Sequence, residues 1–237
     1  MSSVSREHAT SSSGTAQSGE SSCLRLRLNH PKNYVGVPVA IAAPGDTGSL
    51  VMGNLTAMAG AAKLGARAFG LIDTDGEVTS WGWELLEEVL GQTHPDTYLE
   101  ELRDLQNSRG RFIEQRPEWD GFGETVARRY NGTEPVIEIL QQSGPVTLPE
   151  LVSRLAEDHW GIASQLFLKD TVADSPDGLT DDLLEDSKSY RGAGVCQFKG
   201  VLYHFGVVTM PGSSTDYLDP GAELWELEPH IDDWRGA

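Results

Sequence analysis

The sequence contains little cysteine and no long uninterrupted apolar run. Cys23 and Cys196 are the two cysteines among 237 residues, too few for a disulfide framework or a cysteine zinc site. The N-terminus lacks the apolar segment of a secretory signal. The most apolar window, residues 50–72, includes Lys63 and Arg67, and two cations disfavour a membrane span. We therefore expect a cytoplasmic protein that makes no contact with membrane.

Sequence patterns typical of enzymes and cofactor sites are also missing. There is no nucleophile elbow, Walker loop or His-Glu-x-x-His motif, and none of the six histidines pairs at metal-ligand spacing with a carboxylate or cysteine cluster. The segment Asp73-x-Asp75-Gly76 imitates part of a calcium loop, but Gly82 then occupies the twelfth position, where a carboxylate is required. We predict no catalytic residues, no metal site and no cofactor.

Positive charge is scarce. The chain has 18 Lys and Arg against 36 Asp and Glu, a net charge of −18, and only five of the cations are lysine. This balance resembles that of proteins from salt-in halophiles. Residues 1–80 are neutral, so the whole excess lies in residues 81–237. Overall acidity disfavours non-specific nucleic-acid binding, which leaves the neutral N-terminal third as the least repulsive surface for phosphate.

The N-terminal part divides into a tail and a first module. Residues 1–22 are rich in Ser and Gly and contain few large apolar groups, so we expect a disordered tail. Residues 23–95 form module 1. A helical stripe contains Ala62, Ala66 and Phe69, and a hairpin with its turn at Asp73–Gly76 follows it. Thr79 then caps a helix that ends at Gly91.

Residues 96–130 are predicted to be a helical connector, with a loop at Trp119–Gly123. Residues 131–237 form module 2, in which an acidic insertion, residues 170–186, includes one short helix. The expected features of module 2 are a helix capped by Thr133 and ended by Gly144, a capping box at Thr147–Glu150, helices at Trp160–Leu168 and Gly192–Phe205, and strands at Val207–Thr209 and Glu223–Leu227.

The segment Tyr34–Leu85 carries Val37-Pro38, an Ala-rich helix, the run from Phe69 to Gly76 and Thr79-x-x-Gly82. It resembles a widespread prokaryotic winged-helix domain, and module 2 resembles helix-turn-helix regulators. The resemblance implies an α+β, mostly helical fold with two winged-helix-like modules, of the tandem type found in halophilic archaea. It also implies that the last helix of module 2 enters the major groove of DNA and that the hairpin contacts the backbone.

The leading functional hypothesis is a transcriptional regulator that binds double-stranded DNA. Gln197 reads bases, and the cations neutralise phosphate. The proposed DNA contacts are Lys63, Arg67, Lys188, Arg191, Gln197, Lys199, His204, Ser213 and Ser214. These same residues could instead form solvated helix faces and a plain turn. The alternative function is a protein-interaction adaptor whose acidic surface binds a basic partner. The partner predicted besides DNA is another protein or a second copy of the chain, in a homodimer.

Overall fold

The computed structural model describes residues 30–43, 59–105, 110–167, 176–190, 192–209, 220–221 and 224–231. Within these ranges the α-helices are α1 Lys32–Ala42, α2 Ala59–Ala68, α3 Ser80–Leu90, α4 Pro95–Asp104, α5 Phe112–Gln115, α6 Gly123–Arg128, α7 Thr133–Ser143, α8 Leu148–Asp158, α9 Trp160–Ala163, α10 Asp181–Glu185 and α11 Gly192–His204. Segments of 3₁₀ helix span Pro117–Phe122, Ser164–Leu166 and Pro176–Gly178. No helix in the described ranges is both long enough and apolar enough to cross a bilayer.

The strands are β1 Val146–Thr147, β2 Val208–Thr209 and β3 Leu224–Leu227. They form one small sheet in which β3 lies in the middle and runs antiparallel to both neighbours. Trp225 on β3 pairs with Val146 and is fully buried, so the middle strand anchors the sheet to the core. The helices and this sheet confirm the expected mostly helical α+β class.

The predicted hairpin turn at Asp73–Gly76 is present and is held by one of its own side chains. Ile72 and Val78 form the antiparallel bridge that closes it. Oδ1 of Asp73 accepts the backbone N–H groups two, three and four residues later, at 2.8–2.9 Å. Gly76 has φ +91°, in the left-handed region that glycine adopts without strain. The turn is therefore locally determined.

Helix α3 begins and ends where the sequence predicts. Oγ1 of Thr79 accepts the N–H of Gly82 at 2.9 Å and donates to the carbonyl of Gly70 at 2.7 Å. Gly91, with φ +52°, ends the helix. A Cβ at Gly82 would lie 2.4 Å from the carbonyl oxygen of Leu71. The first turn of α3 thus packs directly on the backbone that leads into the hairpin.

The capping box of α8 is also confirmed. The Thr147 side chain accepts the N–H of Glu150, whose carboxylate accepts the N–H of Thr147 at 2.9 Å. Helix α7 ends at Gly144 as predicted, but its expected start was wrong. Gly132 occupies the N-cap, and Thr133 is the first helical residue, fully buried and without a capping hydrogen bond.

The helix expected at Trp160–Leu168 is shorter than predicted. Helix α9 ends at Ala163, and a 3₁₀ segment leads to Phe167, which forms an isolated bridge with Tyr190. The two rings also stack, with centroids 4.9 Å apart. At Phe167 the backbone is therefore extended and not helical. The short helix expected within residues 170–186 is α10, capped by the side chain of Thr180.

Buried residues from both predicted modules and from the connector belong to one hydrophobic core. A chain of ring contacts crosses it: the ring of Phe69 lies 5.6 Å from that of Phe205 and 5.8 Å from that of Tyr130. The ring of Tyr130 in turn lies 6.0 Å from that of Phe198. Trp119, expected in a loop, is fully buried and donates from Nε1 to the hydroxyl of Tyr98 at 2.6 Å. The connector is therefore part of the core.

Candidate functional site

Helix α2 places its two predicted DNA contacts, Lys63 and Arg67, on the exposed side. Arg67, however, already donates hydrogen bonds inside the protein. Its Nε lies 2.9 Å from the carbonyl oxygen of Asp73, and its Nη2 lies 2.8 Å from that of Thr74. The guanidinium therefore joins α2 to the hairpin turn, and a phosphate would compete with these two bonds.

The hairpin beside these cations is acidic. Asp73, Asp75 and Glu77 are all exposed, so three carboxylates lie within a few residues of the tip that a wing would bring to a DNA backbone. These negatively charged carboxylates repel the negatively charged phosphates of DNA. The local charge of this hairpin disfavours DNA contact, although the first 80 residues as a whole are neutral.

Helix α11 does not present the expected DNA-reading face. The sequence placed Lys199 and His204 beside an exposed surface, but they are 0% and 3% exposed, and Gly200 is buried between them. These two residues are therefore wrong as DNA contacts in this structure. The apolar stripe of α11 is buried as predicted, but Gly200 and His204 on its opposite face are buried too, and the ring of His30 lies against that of His204.

The rings of His30 and His204 make one of the contacts that cover α11, with centroids 4.5 Å apart. Nδ1 of His30 accepts the backbone N–H of Lys32 at 3.3 Å, and the ring of Phe112 packs edge-on at 5.7 Å. Burial, followed by the nearby His204 and Lys32, lowers the pKa of His30 from 6.5 to about 3. The imidazole is therefore neutral across the physiological range.

The other predicted contacts are described in part or not at all. Lys188 is exposed, in the turn that follows α10, where its backbone N–H is bonded to Oδ1 of Asp186 at 2.9 Å. Arg191, Ser213 and Ser214, and the side chain of Gln197, lie outside the described residues. Of the nine predicted contacts, Lys63, Arg67 and Lys188 are exposed among the described residues, and Arg67 is bonded to the hairpin turn.

A groove with a different character lies along helix α3. Four residues at helical spacing, Trp81, Glu84, Leu85 and Glu88, line it together with Glu87 and with Phe122 from the 3₁₀ segment, and its volume is about 360 Å³. Leu85 is buried at its base, both aromatic residues are half-buried, and the glutamates are exposed at its rim. We call these six residues the α3 groove.

The glutamates of the α3 groove make no ion pair with another described residue. Among the described residues no ion pair involves Glu84, Glu87 or Glu88. Glu84 and Glu88 are four residues apart on one helix face, a like-charge spacing that destabilises a helix by a few tenths of a kcal/mol. The groove is thus a site of concentrated negative charge above apolar walls.

Arg129 packs against one wall of the groove. Its guanidinium carbon lies 3.8 Å from the centre of the Trp81 ring system, in a cation–π contact. Arg129 does not itself line the groove. Trp83, one turn before Glu87 and outside the groove lining, is 43% exposed.

A second pocket, of about 650 Å³, lies between the start of α8 and α10, and contains no aromatic residue. Glu150, Asp181 and Glu185 supply its carboxylates, and Pro149 and Leu184 supply apolar surface. The Glu150 carboxylate is already bonded to Thr147, and this backbone hydrogen bond lowers the pKa of Glu150. No group of three or more potential metal ligands occurs among the residues that the structure describes.

Sequence reasoning missed the α3 groove. It assigned Trp119–Gly123 to a loop, so Phe122 was not connected with α3. The detectable signal was the helical spacing of Trp81, Glu84, Leu85 and Glu88, which mixes aromatic and acidic residues on one face. The chain matches no family model, no curated protein and no solved structure.

Proposed function

We propose that this protein is a non-catalytic interaction adaptor, built on a winged-helix topology, that binds a basic segment of a partner protein. The α3 groove carries the proposal. It combines three glutamates that lack ion-pair partners among the described residues with the side chains of Trp81, Phe122 and Leu85. Complementary charge steers a basic partner to such a surface and sets the partner's orientation.

The order of elements supports the winged-helix part of the proposal. Helix α7, strand β1 and helix α8 are followed, after an insertion, by helix α11 and the antiparallel pair β2 and β3, with sheet order β1-β3-β2. In a winged helix the helix before the hairpin reads DNA. Here that helix is α11, and Lys199, Gly200 and His204 on it are buried, which favours a protein partner over DNA for this fold.

A binding comparison tests the proposal. Fluorescence anisotropy would measure binding of the full chain to a labelled nonapeptide of arginine, to a nonapeptide of glutamate and to duplex DNA, at several salt concentrations. We expect binding of the basic peptide alone. A duplex that binds while the basic peptide does not would overturn the adaptor.

DNA binding through α2 is the second candidate, and the exposure of Lys63 on the helix before the first hairpin favours it. Lys63→Glu should then weaken binding to duplex DNA taken from a selection of random sequences. Arg67 is a poor site for this test, because replacing it would also remove its two hydrogen bonds to the hairpin turn. Arg103→Glu, on the exposed side of α4, is the matched control. If Lys63→Glu and Arg103→Glu weaken DNA binding equally, the contact between α2 and DNA is refuted.

A further inference from the structure

We infer that the α3 groove is a docking site for an arginine side chain presented by a partner protein, an inference that rests on the proposed adaptor function. The proposal adds to that function a location, the space between α3 and Phe122, and a chemical preference, guanidinium over ammonium. Each part depends on a separate observation.

The charge of the groove favours a cationic occupant. Glu84, Glu87 and Glu88 converge on a space of about 360 Å³, and none has an ion-pair partner among the described residues. A cation placed between Glu84 and Glu88 would relieve their i,i+4 repulsion in addition to pairing with them. An anionic or neutral occupant would leave that repulsion in place.

The aromatic walls favour arginine over lysine. A guanidinium is flat and weakly hydrated, stacks on aromatic rings and forms two parallel hydrogen bonds to a carboxylate, whereas an ammonium is a strongly hydrated point charge. The protein contains an internal example of this packing, since the guanidinium of Arg129 lies over Trp81 at 3.8 Å. Arg129 lies outside the groove lining, so an incoming arginine has the groove side of Trp81 and the ring of Phe122 available.

The surroundings point to a protein segment as the carrier of that arginine. Trp83, on the same helix and one turn before Glu87, is exposed, and exposed aromatic residues are typical of protein interfaces. The groove is open along α3 from Trp81 to Glu88, about two helical turns. A short peptide segment can lie along this length with one arginine inserted.

The test compares nonapeptides of arginine and of lysine on the full chain by fluorescence anisotropy, at about 0.15 M and 1 M salt. At 1 M the Debye length is about 3 Å, so a preference that depends on charge alone disappears. We expect the arginine peptide to bind roughly fivefold tighter than the lysine peptide at both salt concentrations. Equal affinities for the two peptides would overturn the guanidinium preference.

Two double variants locate the site. E84Q with E88Q keeps the shape of the groove and removes a like-charge pair, so the fold should be retained, and we expect the arginine peptide to bind about fivefold or more weakly. D181N with E185Q makes the same charge change, also at i,i+4 spacing, in the second pocket, which has no aromatic wall. We expect less than a twofold change for this control.

The variant Trp81→Leu separates a binding role from a purely structural one. We expect it to lower the ratio of arginine to lysine affinity toward one while its circular dichroism spectrum and thermal melt stay close to those of the wild type, which excludes a general loss of fold. Equal weakening by the two double variants would place the peptide elsewhere on the acidic surface and refute the docking site while leaving the adaptor intact. No binding of either peptide to the unmodified chain would refute the adaptor itself.

Discussion

Acid should destabilise this protein through His30, in a pH range set by its burial. The side chain is 1% exposed and contacts the ring of His204, and its pKa falls from 6.5 to about 3 on folding. Above pH 6.5 the imidazole is neutral in both states and contributes no pH dependence. Between pH 6.5 and 3 the unfolded chain binds a proton that the folded protein excludes, so the free energy of unfolding falls as the pH falls.

The size of this effect follows from the pKa difference. Each unit is worth about 1.36 kcal/mol, and pH 4.5 lies two units below the unfolded pKa of 6.5. His30 should therefore remove about 2.7 kcal/mol of stability between pH 7 and pH 4.5. A typical domain has only about 5–15 kcal/mol in total, so the loss should be readily measured.

Urea unfolding of wild type and His30→Gln at pH 7 and pH 4.5 measures this contribution. The difference between the two pH values should be smaller in the variant by about 2.7 kcal/mol. Because each protein is compared with itself, any cost of the substitution at pH 7 cancels. His230→Gln changes an exposed histidine and serves as the control. The same fall in stability for wild type and His30→Gln would refute the reasoning.

Two further predictions concern packing. Gly82→Ala should destabilise the protein strongly, since the new Cβ would lie 2.4 Å from the carbonyl oxygen of Leu71. At Gly60 a new Cβ meets no atom within 4 Å, so Gly60→Ala should stabilise α2 by about 0.4–1 kcal/mol. Changes of melting temperature with the same sign in both variants would contradict this prediction. Trp119→Phe removes the hydrogen bond to Tyr98 and leaves a cavity, and should lower the urea midpoint by the equivalent of about 1–3 kcal/mol. An unchanged midpoint would mean that this buried bond contributes nothing.

Local signals in the sequence predicted the local structure well. The start of α3 at Thr79, its end at Gly91 and the capping box at Thr147 depend on side chains within a few residues of the backbone groups they bond. The turn after Asp73 is determined in the same way, by a carboxylate that accepts three nearby N–H groups. Such features need no knowledge of the rest of the fold.

The predictions failed where distant parts of the chain meet. On α11, His204 lies on the face opposite an apolar stripe and Lys199 lies at the edge of that face, which in an isolated helix indicates an exposed surface. In the folded protein both side chains are buried and the ring of His30 lies against that of His204, a long-range contact that no spacing within α11 encodes. The α3 groove was missed for a similar reason, because Phe122 reaches it from a segment that helical spacing does not connect to Trp81.

The shared core also constrains how the chain can be made. Arg111 pairs with Glu228, 117 positions later, and a ribosome adding about 5–20 residues per second needs on the order of 10 s to supply that partner. During this interval Phe69 and Phe112 lack the ring of Phe205 that they contact in the finished core. The N-terminal half of the nascent chain therefore exposes apolar surface during synthesis. It can bury the rings of Phe69 and Phe112 as in the finished core only after α11 and the adjoining Phe205 have been made.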